Sequence, residues 1–245
     1  MKIIVCVKQV PDTSGKVAVN PDGTLNRASM ATITNPDDLN AVEAALVLKE
    51  QTGAEVVVVC MGPPPAEGML RECLARGCDR AVLVSGREFG GSDTYATSQI
   101  LAAAINKIGV EKDDIVMCGR QAIDGDTAQV GPQLAEKLGL PQISYAADIQ
   151  LDGNTVTVKR MLEDGYMTIK TQTPCLITCI KELNEPRYMS VGGVFEAYSK
   201  PLTTLDYNAL KDDPLIDATT IGLKGSPTNI FKSFTPPQKR AGMML

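Results

Sequence analysis

Histidine and tryptophan are absent from the 245 residues, and aromatic side chains make up only 4% of them. The missing histidine excludes the most chemistry. There can be no Ser-His-Asp or Cys-His nucleophile system, no His-ligated zinc and no imidazole proton shuttle. Flavin attached covalently through histidine is excluded too. Any reaction run by this chain is expected to draw its reacting group from a cofactor. Positive charge is in deficit: 24 Lys and Arg stand against 29 Asp and Glu, for a net charge of −5. Duplex nucleic acid needs clustered cations to neutralise its phosphates, so it is not an expected partner. No apolar run reaches the ~18 residues of a transmembrane helix. The short apolar stretch between Lys2 and Lys8 is too brief for the core of a signal peptide. The expectation is a cytoplasmic protein with no membrane insertion.

Cysteine pairs at metal-binding spacing are also missing. Cys6, Cys60, Cys73, Cys78, Cys118, Cys175 and Cys179 form no Cys-x-x-Cys, so they read as reduced, buried, small hydrophobes. No G-x-G-x-x-G follows the first strand-like run, and no G-x-x-x-x-G-K-[ST] occurs. A conventional dinucleotide-binding dehydrogenase or P-loop NTPase is therefore not expected.

What is present is an α/β pattern. Apolar runs at 3–7, 55–61, 81–85 and 114–118 are β-branched or apolar nearly throughout, as strands covered on both faces should be. Helical patterns at 36–50, 66–76, 94–108 and 127–138 lie between and after them. Asn35 is placed to cap the first, with Pro36 in its first turn and Asp37 and Asp38 complementing the dipole. Gly77, Gly109 and Gly139 are placed as helix stops. The rhythm predicts a doubly wound, mostly parallel sheet of Rossmann-like, nucleotide-binding type. A Pro21-Asp22-Gly23 turn within 17–25 predicts a hairpin. Turns at Asp152-Gly153 and Asp164-Gly165 predict an antiparallel meander over 148–172, with a buried strand returning at 175–180. After about 184, prolines break any long element. The spaced apolar residues Leu202, Leu205, Leu210, Leu215, Ile221, Leu223, Ile230, Phe231 and Phe234 favour an arm docked on another subunit over a disordered tail. The expected division is a nucleotide-binding domain at 1–199 and a C-terminal arm at 200–245.

In open α/β sheets, ligands bind beyond the carboxyl ends of the strands. Four loops fall there: 7–12, 61–63, 85–94 and 119–127. They are rich in Gly, hydroxyls and amides, which suit phosphate at helix N-termini. Gly90-Gly91-Ser92-Asp93-Thr94 opens a hydroxyl-rich helix and reads either as a diphosphate cradle or as a flexible loop capped by Ser92. Gly119–Gly131 has the small and polar residues that a ribose and a phosphate need, or is a turn with a helix cap. Asp124 and Asp126 read as solvated acids.

Val158-Lys-Arg-Met-Leu-Glu-Asp-Gly-Tyr166, followed by Pro174-Cys-Leu-Ile-Thr178, resembles the signature of the small (beta) subunit of electron transfer flavoproteins. Met167 and Thr168 stand where that family commonly has an acid or amide. Leu183-Asn-Glu-Pro-Arg-Tyr188, Val5-Cys-Val-Lys-Gln-Val10, Asn35-Pro36, Gly119–Gly131, Gly222-Leu-Lys-Gly-Ser-Pro-Thr228 and Phe234-Thr-Pro-Pro-Gln-Lys-Arg240 extend the resemblance over essentially the whole chain.

The resemblance implies an adenine-nucleotide site at Cys6, Lys8, Asn35, Cys60, Met61, Gly62, Ala122, Asp126, Thr127, Gln129, Val130 and Gly131. In simpler members this site holds structural AMP. In electron-bifurcating members it holds a second FAD that takes hydride from NADH. Asp93, Thr94 and Thr97 resemble the segment those members place beside the flavin diphosphate, which points to the bifurcating kind, and Arg120 is a candidate for positive charge near the flavin. The resemblance further implies a large (alpha) subunit around which the arm wraps. It also implies ferredoxin or flavodoxin as one acceptor, and an acyl-CoA dehydrogenase or related flavin dehydrogenase contacted through Tyr188, Val191 and Val194. Gly192 and Gly193 depart from the simpler pattern and leave that partner's identity open. Three readings follow: a bifurcating subunit with FAD, a simpler carrier subunit with AMP, and a nucleotide-binding regulatory module that needs no large subunit.

Overall fold

The computed structural model describes residues 1–12 and 31–228. In chain order the strands and helices are β1 (Lys2–Cys6), β2 (Gln9–Pro11), β3 (Thr32–Thr34), α1 (Pro36–Thr52), β4 (Glu55–Met61), α2 (Glu67–Arg76), β5 (Arg80–Val84), α3 (Thr94–Ile108), β6 (Ile115–Gly119) and α4 (Val130–Leu138). They continue as β7 (Gln142–Asp152), β8 (Thr155–Leu162), β9 (Gly165–Gln172), β10 (Cys175–Cys179), α5 (Val191–Glu196), β11 (Leu202–Leu205), α6 (Tyr207–Leu210) and α7 (Gly222–Gly225). Nine strands form one sheet in the order β11-β5-β4-β1-β6-β10-β7-β8-β9, and β2 pairs with β3 separately. Every pairing from β11 to β7 is parallel, while β7-β8 and β8-β9 are antiparallel. The mostly parallel α/β sheet with an antiparallel meander is the expected architecture.

The unbroken apolar runs follow from this layering. Ile3 and Val5 of β1, with Val56 and Val58 of β4, join Val42, Leu46, Leu70 and Leu74 from α1 and α2 in one core. Ile4 and Cys6, with Val57 and Val59, join Ile100, Leu101, Ile105 and Leu134 from α3 and α4 in the other. Period-2 alternation thus sends each run's side chains to two dry faces, and no position is left for a polar residue. All seven cysteines are free and buried, as their sequence context suggests. Among the described residues, no helix is long and apolar enough to cross a membrane.

The structure departs from the sequence reading in several places. The fourth helix starts at Val130, not near 127, because Asp126 and Ala128 take φ of 50° and 52°. Left-handed residues cannot sit inside a right-handed helix. Asn35 occupies the cap position of α1 without capping it. Its side chain instead donates to the Gln121 carbonyl at 2.8 Å and accepts from the Ile123 N–H at 3.1 Å. The meander begins earlier, at Gln142. After 184 the chain regains order by packing on itself. β11 lies parallel to β5 and covers the sheet edge, and Leu205, Leu210, Ile216 and Ile221 are buried against the α3 face. The hairpin expected at 17–25, and Ile230, Phe231 and Phe234, lie outside the described residues.

Candidate nucleotide cleft

β1 sits in the middle of the parallel strands. The chain moves outward from it to β4 and β5, then returns to its other side as β6. That reversal leaves a crevice beyond the carboxyl ends of β1 and β6, where loops diverge and leave room for a ligand. A cleft of about 310 Å³ lies there, at the small end of the usual range for ligand pockets.

Its walls come from the loops singled out in the sequence. Cys6 ends β1, Lys8 follows it, and Met61 ends β4. Asp93, Thr94 and Thr97 come from the start of α3. Arg120, Ala122, Asp126, Thr127, Gln129, Val130 and Gly131 run from β6 into α4. Three other expected residues do not line it. Asn35 lies beneath, holding the 121–123 backbone. Cys60 is buried in the core, and Gly62 is tied to Val84 by a backbone hydrogen bond at 3.0 Å.

Sequence reasoning missed the role of Asp38. It is the fastener of the cleft floor: one carboxylate oxygen accepts the Gly119 N–H at 2.8 Å and the other the Lys8 N–H at 2.9 Å. The only signal in the sequence is a second acid in the first turn of α1, which reads as helix-dipole compensation. Burial pushes its carboxyl up to about 7, outweighing the two backbone N–H groups. Gly119 is required beside it, since a Cβ there would fall 2.5 Å from an Asp38 oxygen. Burial likewise pushes the Cys6 and Cys60 thiols up to about 12 and raises the Cys118 thiol well above its ordinary value. These thiols are neutral near pH 7 and are not nucleophiles.

Polar groups bridge the mouth. Lys8 Nζ reaches both Asp124 oxygens, at 2.7 and 2.9 Å. Gln121 donates to Asp126 at 2.8 Å, and the Thr94 hydroxyl donates to Gln129 at 3.1 Å, linking the starts of α3 and α4. Asp124 and Asp126 are thus each paired within the loop. Arg120 Nε lies 3.4 Å from Asp37 Oδ2, too far to satisfy either atom's hydrogen bond. Burial raises the Asp37 carboxyl, and the Arg120 charge opposes that shift.

The two helix starts differ. Asp93, not Ser92, caps α3 by accepting the Ala96 N–H at 3.0 Å. α4 has no side-chain cap, so its first N–H groups are left for a ligand at the cleft. Gly131 lets that first turn sit down on the sheet, because a Cβ there would lie 2.6 Å from Thr178 Cγ2. An uncapped helix start, the Thr97 and Thr127 hydroxyls, and apolar lining from Val7, Leu101 and Val130 fit a nucleotide, with donors for an anion beside dry surface for a base. Among the described residues no acid–cysteine cluster could hold a metal ion.

Known proteins share this arrangement of sequence. The family model described as electron transfer flavoprotein domain matches residues 22–210. The chain belongs to the electron transfer flavoprotein family. It is 51% identical to the electron transfer flavoprotein subunit beta of Clostridium acetobutylicum, an alignment covering 100% of this chain and 92% of that one. At the same coverages it is 69% identical to the acryloyl-CoA reductase electron transfer subunit gamma of Anaerotignum propionicum. It is 53% identical to the caffeyl-CoA reductase-Etf complex subunit CarD of Acetobacterium woodii, again with 100% and 92% covered. It is a beta subunit of the family, and the resemblance drawn from its motifs holds along the chain.

A second region of this electron transfer flavoprotein subunit stands out by exposure. Tyr188 is 96% and Val191 78% exposed, with Val194 beside them. Phe195 and Tyr198, which the sequence reading passed over, are exposed as well. The base of this segment is pinned. Asn40 donates to the carbonyl and side-chain oxygens of Asn184. Arg187 grips Glu43 with Nε at 2.8 Å and Nη2 at 2.9 Å, and reaches Glu50 through Nη1. Ser190 caps α5 by accepting the Gly193 N–H at 2.9 Å. Gly193 lies flush on the last turn of α2, where a Cβ would collide with the Ala75 carbonyl. Asn184 and Arg187 therefore explain the Leu183–Tyr188 motif: they moor a short apolar display.

Proposed function

We propose that this beta subunit pairs with a large subunit and holds FAD in the cleft described above, where the flavin accepts hydride from NADH. Electrons then pass to ferredoxin or flavodoxin and, through an FAD of the large subunit, to an acyl-CoA dehydrogenase-type partner. The observation that carries the reading is the uncapped start of α4 beside Thr97 and Thr127 in a cleft at the sheet's reversal point. The two relatives named for acryloyl-CoA and caffeyl-CoA reductase complexes support an acyl-CoA partner and the bifurcating kind of subunit.

When bound, FAD supplies the hydride and single-electron chemistry that a chain without histidine lacks. The chain's own part is placement. The α4 N–H groups and the threonine hydroxyls hold the diphosphate. Val7, Leu101 and Val130 shelter the adenine from water. Arg120, only loosely engaged with Asp37, is free to turn a guanidinium N–H toward ligand charge. The cleft's modest volume would hold the adenosine phosphate end of the dinucleotide. Tyr188, Val191 and Val194 meet the dehydrogenase, and residues 200–245 carry the contact with the large subunit.

AMP in place of FAD is the second reading, favoured by the modest size of the cleft. Co-expression with the large subunit separates the two. Two FAD per heterodimer and bleaching by NADH are expected. One FAD per heterodimer, AMP in the extract and no bleaching would select the carrier reading, and a colourless chain that binds neither nucleotide would sink both.

A further inference from the structure

Residues 221–228 lie beside the cleft without lining it, and they are wired to its wall. Leu223 donates its N–H to the Gly90 carbonyl at 3.0 Å, and Gly222 donates to the Ser92 hydroxyl at 3.1 Å. Ser226 accepts the Asp93 N–H at 2.8 Å and donates to the Gly222 carbonyl at 2.7 Å. The Thr228 N–H donates to Asp93 Oδ2 at 2.9 Å. The fit is close as well as bonded. Gly222 has φ +65°, and a Cβ there would strike the Glu88 carbonyl; one on Gly91 would lie 2.8 Å from Leu223 Cβ. The approach to this segment runs along α3, where Gln99 donates to the Leu215 carbonyl at 2.9 Å and to the Thr220 hydroxyl at 3.1 Å.

Asp93 is the joint. It lines the cleft, yet both its carboxylate oxygens are engaged within the chain, one by Ala96 of α3 and the other by Thr228. It therefore has little left to offer a ligand and cannot be read as a simple binding group. Immediately after it, Thr94 bonds Gln129 at the start of α4. One unbroken series of contacts runs from Thr228 and Ser226, through Asp93 and the first turn of α3, to the opposite lip of the cleft.

We infer that residues 221–228 act as a positioning strap for the nucleotide cleft, with Ser226 and Thr228 setting Asp93 and the start of α3, so that nucleotide occupancy and strap docking are coupled. The inference rests on reading the cleft as a nucleotide site. Coupling of this kind is reciprocal: a bound nucleotide tightens the strap as much as the strap tightens the nucleotide. Because residues 221–228 lie within the 200–245 segment proposed to meet the large subunit, subunit association and nucleotide retention share one joint.

The test uses the co-expressed heterodimer stripped of nucleotide, titrated with AMP and with FAD by calorimetry and followed by hydrogen exchange. In the wild type, nucleotide should protect 119–131 and 93–98, and protection should spread to 221–228. Ser226→Ala removes the hydroxyl that joins Asp93 to Gly222 and should weaken binding by about fivefold or more, the low end of measured couplings. Its nucleotide-induced protection should stop at α3. Thr228→Pro removes the N–H given to Asp93 together with an exposed side chain, and should shift affinity in the same direction even if Ser226→Ala folds poorly. Wild-type affinity and an unchanged protection pattern in the folded variants would overturn the coupling alone. No nucleotide-induced protection of 119–131 in the wild type would overturn the cleft reading, and the coupling with it.

Discussion

The cleft and the 188–198 segment are built by opposite means. The cleft works with backbone: an uncapped helix start, glycines at Gly119 and Gly131 where no Cβ fits, and an aspartate that fastens two main-chain N–H groups. The exposed segment works with large side chains, Tyr188, Val191, Phe195 and Tyr198, on a base moored by Arg187 and Asn184. A backbone site is fixed by the sheet around it and tolerates little change. A side-chain display needs only its mooring, so its outer residues can be exchanged without cost to the fold. Nucleotide binding should thus be hard to alter without harming stability, and partner choice easy.

The largest effect should come from Gly119→Ala. Its Cβ has no room against Asp38 and the Asp37 backbone, and forced overpacking of a buried strand end costs about 3 kcal/mol. A denaturant titration should show a lower midpoint together with lost nucleotide retention. Stability equal to wild type would break the claim that the cleft cannot be altered independently of the fold. Val191→Asp should do the reverse. A charge at the centre of an apolar contact should weaken dehydrogenase docking by about 100-fold, the scale of a strong hot spot, while surface exposure keeps stability within about 0.5 kcal/mol. Docking kinetics with the dehydrogenase partner, and a melting curve, would check both halves.

Arg187→Ala tests the mooring. Glu43, at 11% side-chain exposure, would lose its partner, but the arginine is itself a third exposed. About 1 to 2 kcal/mol is expected, less than for a fully buried pair. Partner docking should weaken and nucleotide binding should not; equal loss of both would mean the two regions are not separate. For Asp38 the readout is a pH slope. The Asp38 carboxyl is raised by burial from 3.8 to about 7. The folded state therefore holds a proton that the unfolded chain releases. This contribution to stability is complete below the unfolded value and is lost as pH rises through about 7. Asp38→Asn should remove that slope from the stability–pH profile. An identical slope in the variant would assign it to another group.

How much of this could be read in advance also differs between the two regions. The strands and helices of the parallel half were legible because their apolar periods are long and uninterrupted. β4 and α3 have the expected bounds. The cleft's loops were legible because strand carboxyl ends can be counted off a βα rhythm. What was not legible were contacts between distant residues. Nothing in Asn35 announces that it will hold the 121–123 backbone and not its own helix, nor in Asp38 that it will join Lys8 to Gly119. Local rules assign both residues to the helix start, where cap and dipole are the only partners they can see. The self-packing of 200–228 was hidden for a similar reason. Its apolar residues have no period of their own, because they fill gaps on a surface made by α3 and β5.

The Asp38 fastener also bears on the order in which the chain becomes competent. It ties positions 30 and 81 residues away, and the lip opposite Lys8 is not synthesised until β6 and the loop after it have been made. A chain emerging from the ribosome can pair β1 with β4 across α1, yet it has no cleft. Nucleotide can therefore bind only after the reversal of the sheet is complete, and it will stabilise the finished state alone, by mass action. Cofactor supply should raise the yield of folded subunit without changing how fast the first half of the sheet forms.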